Sequence, residues 1–299
     1  MRFISKSLPV LLITAAIAGA IAHSAPPETS EAKGYTIGLS MYSLRQLFKQ
    51  GELQALDYPA FAKETFGITQ VDVWTGAFPK GHEKDAAFFN ELKARADAVD
   101  VTIFLLMANT LDAMSDDPIV LQAKAGEFHQ SVDNAVLLGS TYLRIFLRAP
   151  DGDRERALNN SLRVLKPLAD YAQSKRIIIA IEPGSSKWTK DGTFLIELAQ
   201  RLNHPNCKLM PDFGKMLGAD PYGGTIAMMP ETVVVSAKTH DFKPDGTPEI
   251  FDYPRLMKSI REAGFTGIVA IEYEGGNLGP VEGVRATKVL LESLNTTAP

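Results

Sequence analysis

Hydrophobic and polar residues follow a repeated order along this chain: a short apolar run, a loop, then an amphipathic segment. The clearest run is Ile177–Glu182, in which five apolar residues precede a glutamate and a Pro-Gly turn. An unbroken apolar run bounded by a turn is typical of a buried parallel strand. Ile268–Glu272, near the other end of the chain, has the same Ala-Ile-Glu ending. A buried carboxylate is costly unless it is paired or binds a metal, so both strand ends are candidate walls of a site.

Eight such runs predict eight strands, and a segment with helical periodicity follows each one. The predicted strands are Thr36–Ser40, Thr69–Trp74, Thr102–Met107, Tyr142–Leu147, Ile177–Glu182, Lys208–Asp212, Val233–Lys238 and Ile268–Glu272. The predicted helices are Tyr58–Thr65, Asp85–Val99, Ile119–Leu138, Arg154–Ser174, Thr193–Leu202, Tyr222–Met229, Tyr253–Ala263 and Val281–Leu294.

This order predicts an α/β fold of one domain, the (β/α)₈ TIM barrel, because eight strand-helix units fit it in count and length. A doubly wound open sheet is the alternative. That fold favours a glycine-rich phosphate loop after the first strand, and Ser40–Ser43 stands there instead.

The first 33 residues have a different pattern. Arg2 and Lys6 precede the apolar segment Leu8–Ile21, and Ala20-Ile21-Ala22 has the form of a signal-peptide cleavage site. We therefore predict a cleaved signal peptide over residues 1–22, a linker over 23–33 and the barrel over 34–299. A membrane anchor is the alternative, but the segment is shorter than the roughly 20 residues that span a bilayer. The mature protein is expected in the periplasm or outside the cell, with no membrane attachment.

Composition narrows the function. The chain has 299 residues and a net charge of −4, and its Lys and Arg residues are scattered, so we expect no nucleic-acid partner. Cys207 is the only cysteine, which excludes an internal disulfide and a thiolate metal cluster. The sequence leaves open whether the chain forms oligomers.

Four side chains that suit metal binding or acid-base chemistry follow successive predicted strands: Glu182, Asp212, His240 and Glu272. A single acidic residue after a strand is more often a helix cap. In a TIM barrel, however, the C-terminal ends of all strands meet at one mouth, so four such residues predict a shared site. Carboxylate oxygens with one imidazole suit Mn²⁺, Mg²⁺ or Co²⁺.

The segments Ala263–Gly267 and Ile271–Gly275, together with this order of Glu, Asp, His and Glu, resemble the xylose isomerase-like TIM barrels, a family of sugar phosphate isomerases and epimerases. The resemblance implies one divalent metal held by two Glu, one Asp and one His, with both Glu acting as acid and base on a keto-sugar. By position, it implies Glu182 and Glu272 as ligands and paired bases, Asp212 as a ligand and His240 as the candidate fourth ligand.

Two lysines depart from the family pattern. Lys238 stands where the family usually has its histidine, and Lys215 stands where His or Asn is common. His240 is the only other candidate ligand there, because a charged ammonium group has no lone pair. Three interpretations follow: a metal site with a shifted histidine, which we favour, a site where lysine ammonium groups replace part of the metal charge, or a site without catalysis.

The predicted reaction follows from charge. Removal of a proton next to a carbonyl group creates an enediolate, which a divalent cation stabilises. One glutamate takes the proton and the other returns it. The candidate substrate-binding residues are Tyr42, Trp74, Arg144, Lys215 and Lys238.

The leading hypothesis is an exported, metal-dependent isomerase or epimerase whose partner is a small carbohydrate, a free sugar or keto-sugar. One alternative is a lyase or hydratase of 3-keto-glycosides that uses the same proton abstraction. The other is a non-catalytic sugar-binding barrel.

Overall fold

The computed structural model describes residues 34–216 and 221–295, so the predicted signal peptide and linker lie outside the described residues. The strands are β1 (Thr36–Leu39), β2 (Gln70–Trp74), β3 (Thr102–Asp112), β4 (Tyr142–Arg148), β5 (Ile178–Glu182), β6 (Cys207–Leu209), β7 (Val234–Thr239) and β8 (Ile268–Tyr273). The α-helices are α1 (Arg45–Gln50), α2 (Tyr58–Phe66), α3 (Ala86–Ala98), α4 (Pro118–Gly126), α5 (His129–Leu137), α6 (Arg154–Ser174), α7 (Gly192–Leu202), α8 (Pro221–Met228), α9 (Tyr253–Glu262) and α10 (Pro280–Leu294).

The eight strands form one sheet in the order β6-β5-β4-β3-β2-β1-β8-β7, and every pair of neighbours is parallel. The sheet closes between β6 and β7, where Ser236 N donates to Pro211 O at 2.9 Å and Asp212 forms a parallel bridge with Ser236. The predicted TIM barrel is therefore confirmed.

Alternate side chains on each strand face opposite layers, as the pleat of a strand requires. On β5, Ile179 and Ile181 belong to the large core that packs against the helices, whereas Ala180 belongs to the small core inside the barrel. Ala270 on β8 lies in the same inner core. Because Glu182 and Glu272 are each two residues further on, both carboxylates point into the barrel at its C-terminal mouth.

Several elements of the structure differ from the prediction. The predicted helix Ile119–Leu138 is two helices, α4 and α5, and the first ends at Gly126, a residue that weakens helices. β6 ends at Leu209 rather than Asp212, because Pro211 cannot donate a ladder hydrogen bond. The short helix α1 was not predicted. None of these differences moves a candidate site residue away from the barrel mouth.

Candidate functional site

A cavity of about 780 Å³ opens at the C-terminal ends of the strands, within the range of about 300–1,000 Å³ that is usual for small-molecule sites. Its lining includes all five predicted substrate-binding residues. The full lining is Tyr42, Trp74, Thr75, Met107, Ala108, Asn109, Thr110, Arg144, Phe146, Gly214, Lys215, Lys238, His240, Glu272 and Glu274.

Three buried carboxylates meet beside this cavity, and Glu272 is the one that lines it. Glu182 ends β5, Asp212 follows β6 and Glu272 lies near the end of β8. One oxygen from each lies within 4.8 Å of the others, and the three residues are at most 5% exposed. The structure therefore brings together three of the four residues that were predicted to converge, and these three have the spacing of a divalent metal site.

Lys238, the last inward-facing residue of β7, lies among these acids. Its Nζ is 3.2 Å from Asp212 Oδ2 and 3.1 Å from Glu272 Oε1. It also donates a hydrogen bond of 2.5 Å to Glu274 Oε1. Burial alone would lower the pKa of Lys238, but the surrounding carboxylates outweigh that effect and raise it. Lys238 is therefore a buried, permanently charged cation at neutral pH.

Arg144 and Lys215 pair with Glu182 from the cavity side. Arg144 Nε lies 2.9 Å from Glu182 Oε2, and Lys215 Nζ lies 2.7 Å from Glu182 Oε1. Both cations also lie over the ring of Phe146, at 4.2 and 4.1 Å from its centroid. Glu182 is 2% exposed and is not part of the cavity lining, so these two cations separate it from the cavity.

The pKa values of Glu272 and Asp212 shift in opposite directions. Burial alone would raise the pKa of Glu272, but Lys238, Lys215 and the Ser236 hydroxyl lower it to about 2. Ser236 donates to Glu272 Oε2 at 2.8 Å. Burial raises the pKa of Asp212 well above its usual value, and the attraction of Lys238 only partly opposes this. The pKa shifts of these two acids therefore have opposite directions, and Glu272 is the more readily ionised of the two.

The residues fit a resident divalent cation poorly in this arrangement. Lys215 and Lys238 contact the same three carboxylates that would bind the ion, and the distances of 2.5–3.2 Å around Lys238 Nζ suit an ammonium group. Three basic side chains already face four carboxylates. A metal would therefore bind to the three carboxylates only if both ammonium groups moved away.

His240 does not lie with the three converging carboxylates. It is half-buried in the cavity wall, and the described side chains whose ligand atoms converge are Glu182, Asp212 and Glu272. β7 ends at Thr239, so the strand alternation that carries Lys238 inward does not extend to His240. The favoured interpretation, a metal site with His240 as a shifted ligand, is therefore not supported by this geometry.

Tyr42 and Trp74 form an aromatic part of the cavity wall. Their rings meet edge to face, with centroids 5.0 Å apart. An exposed aromatic face beside polar groups is a common platform for an apolar face of a ligand. Both residues line the cavity, and their contact with substrate stays a prediction.

Sequence reasoning missed three residues that shape the site. Phe146 and Ser236 carry no charge, and only their strand register, opposite Glu182 and Ala270, places them inward. Asp72, fully buried in β2, accepts a hydrogen bond of 2.7 Å from Met41 N. Burial raises the pKa of Asp72 well above its usual value. The available signal for Asp72 was an acidic residue inside an apolar strand.

Comparison with known proteins identifies the family. A sequence model of the xylose isomerase-like TIM barrel family matches residues 59–295. The chain belongs to this family. No curated protein matches the chain.

Several solved structures share the fold of this xylose isomerase-like barrel. The IOLI protein with a bound zinc atom has a TM-score of 0.68 and 17% identity, covering 87% of this chain and 98% of that one. D-psicose 3-epimerase with D-tagatose, from Clostridium cellulolyticum H10, has a TM-score of 0.66 and 12% identity, covering 87% and 98%. The probable 3-DHS dehydratase AsbF of Bacillus anthracis has a TM-score of 0.63 and 16% identity, covering 86% and 98%.

Among the residues that the structure describes, no helix has both the length and the apolar character needed to cross a bilayer.

Proposed function

We propose that this chain is an enzyme that moves a proton at the carbon next to a carbonyl group of a sugar, and so isomerises or epimerises that sugar through an enediolate. One observation carries the proposal. The ionised carboxylate of Glu272 faces the cavity beside Lys238 Nζ, 3.1 Å away. A base and a fixed cation side by side are what formation of an enediolate requires.

The proposed roles follow from position. Glu272 accepts the proton from carbon, and the carbonyl oxygen that gains negative charge is stabilised by the cations in the cavity wall. The low pKa of Glu272 makes it a weak base as long as no negative charge other than the protein's own lies near Lys238. A developing oxyanion near Lys238 would offset this, because added negative charge raises the pKa of the carboxyl group.

The predicted role of Glu182 as the second base stays a prediction. Arg144 and Lys215 lie between its carboxylate and the cavity, so substrate would reach Glu182 only if they moved. The proton is returned either by Glu272 or by another titratable group of the cavity wall, where Glu274 and His240 lie.

A sugar substrate is supported by three features: the family, the volume of the cavity, and the aromatic wall of Tyr42 and Trp74 beside charged hydrogen-bonding groups. A related barrel has been solved with D-tagatose. We also propose that the enzyme is exported, a proposal that rests on the N-terminal pattern from Arg2 to Ala22.

The cation that assists the reaction could be of two kinds. The predicted Mn²⁺, Mg²⁺ or Co²⁺ would require both lysines to leave the carboxylate oxygens that they contact. The lysines themselves are the other choice, and no step proposed here passes through a metal.

Proton exchange with solvent tests the function directly. The protein would be incubated in D₂O with D-fructose, D-tagatose and a 3-keto-glucoside, and deuterium at the carbon next to the carbonyl would be measured by NMR. The Glu272→Gln variant is the negative control. Glu262→Gln is the matched control, because Glu262 lies on the exposed face of α9.

We expect deuterium incorporation by the wild type and by Glu262→Gln, and loss of it in Glu272→Gln. Epimeric or isomeric products would identify an isomerase or epimerase. Release of the aglycone from the 3-keto-glucoside would instead identify the lyase, an alternative favoured by the dehydratase that shares this fold. Binding of these sugars without any exchange would overturn the enzymatic proposal in favour of a sugar-binding barrel.

A further inference from the structure

Lys238 is a buried lysine that contacts three acids at once. Its side chain is 5% exposed, and Nζ lies within 3.2 Å of oxygens from Asp212, Glu272 and Glu274. A buried ammonium group is expensive unless several partners compensate it. The acids that would bind a divalent cation therefore already hold a monovalent one.

The local backbone places the Lys238 side chain inside the barrel. Inward positions on β7 alternate through Val234, Ser236 and Lys238, and Tyr253 Oη donates a hydrogen bond of 2.6 Å to the carbonyl oxygen of Lys238. A Cβ atom at Gly214 would lie 2.3 Å from Lys238 Cδ. Glycine at position 214 therefore leaves the space that the aliphatic part of the Lys238 side chain occupies.

Lys215 supplies a second cation to the same group. Its Nζ donates to Glu182 Oε1 at 2.7 Å and lies 3.8 Å from Asp212 Oδ2. Lys215 and Lys238 thus reach Asp212 from different elements. All three carboxylates have an ammonium group within ion-pair distance, so the site has its positive charge built into the chain.

We propose that Lys238, with Lys215 beside it, takes the place of the divalent cation in this site, and that the chain binds no metal there. For its chemistry the inference rests on the proposed function. Glu272 takes a proton from carbon, the C–H pair moves to form the C=C bond of the enediolate, and the carbonyl pair moves onto oxygen. The ammonium group donates a hydrogen bond to that oxygen. When carbon is reprotonated, the enzyme returns to its starting protonation state. No external oxidant or reductant is needed.

Metal binding tests the inference without reference to the reaction. The barrel would be purified without a polyhistidine tag, incubated with Mn²⁺, Co²⁺ or Zn²⁺, desalted and measured for metal content. Melting temperature would be followed with each ion and with EDTA. Lys238→His replaces the ammonium group with an imidazole ligand. Lys208→His is the matched control, because Lys208 lies on β6 and pairs with Glu231 near the start of β7.

We expect wild type and Lys208→His to retain no ion and to show no change of melting temperature with metal or EDTA. Lys238→His is expected to retain about one ion per chain and to melt several degrees higher when metal is added, because a ligand that binds only the folded state stabilises it.

One retained ion per wild-type chain, lost in Glu272→Gln, would overturn the inference, and this measurement stands even if Lys238→His does not fold. A folded Lys238→His variant that gains no metal would also overturn it, because the lysine would then not be what keeps the ion out. Metal-free wild type that shows no deuterium exchange would refute the proposed function and leave this inference intact. One bound ion per wild-type chain together with normal deuterium exchange would refute this inference and leave the proposed function intact.

Discussion

Glu182 and Glu272 follow the same Ala-Ile sequence at the ends of two strands, yet their surroundings differ. Glu182 lies behind Arg144 and Lys215, which pair with both of its oxygens. Glu272 lies in the cavity wall, where Lys238 and Ser236 contact its oxygens and leave the carboxylate open to a ligand. The same local sequence has produced one closed carboxylate and one open carboxylate.

This difference suggests a division of labour. The closed carboxylate holds two cations at fixed places in the cavity wall, and the open one is in position to exchange a proton. Neighbouring side chains set the distinction, because strand geometry is alike at the two ends. Three substitutions can test it.

Glu272→Gln should have the largest effect. We expect activity to fall by about 10²–10⁴-fold, the usual contribution of a general acid or base, because an amide cannot accept the proton. Exchange of deuterium and steady-state turnover would both be measured. The division of labour would be wrong if this variant kept most of its activity while Glu182→Gln lost it.

Glu182→Gln should mainly cost stability. Removing one charge from a buried ion-pair group leaves Arg144 and Lys215 without their carboxylate, and we expect a loss of about 3–5 kcal/mol in the free energy of unfolding. Urea denaturation measures it. The Michaelis constant should rise as the two cations lose their fixed positions.

The matched control for that variant is Glu197→Gln. Glu197 also pairs with two arginines, Arg154 and Arg201, but at the protein surface, where such pairs contribute about 1 kcal/mol or less. Equal losses in the two variants would show that burial gives Glu182 no special structural role.

Phe146→Leu should have the smallest effect. The ring lies under both cations that close off Glu182, and a cation over an aromatic face contributes about 0.5–1 kcal/mol at a partly exposed site. Phe61→Leu is the control, since that ring packs edge to face on Phe66. Thermal unfolding should show a greater loss for Phe146→Leu, and an equal loss would contradict a role for the ring in holding the cations.

Much of the fold could be predicted because burial leaves a periodic pattern in the sequence. In the run that ends at Glu182, Ile179 and Ile181 lie in the outer core and Ala180 lies in the inner core, as strand periodicity requires. The long predicted helix failed where periodicity continued through Gly126, since the break there depends on local backbone preference and on packing. Export remains a prediction, and so do the signal peptide and the linker, which precede Gly34 and lie outside the described residues.

The sequence predicted which carboxylates meet in the site, but it did not decide which cation contacts them. Lys238 and His240 are two residues apart, so sequence alone gave both the same direction on an ideal strand. The strand pairing ends with Thr239 opposite Tyr273, and this boundary gives Lys238 the inner position and leaves His240 on the wall.

By itself, the sequence determined the eight-unit barrel and the meeting of Glu182, Asp212 and Glu272 at its mouth, because strand period and strand polarity fix where residues at strand ends must lie. Only the tertiary structure decided which cation reaches those acids and which carboxylate stays open. Those outcomes depend on distances of a few ångströms between side chains far apart in the chain, and on the space that Gly214 leaves for Lys238. No local pattern encodes such distances.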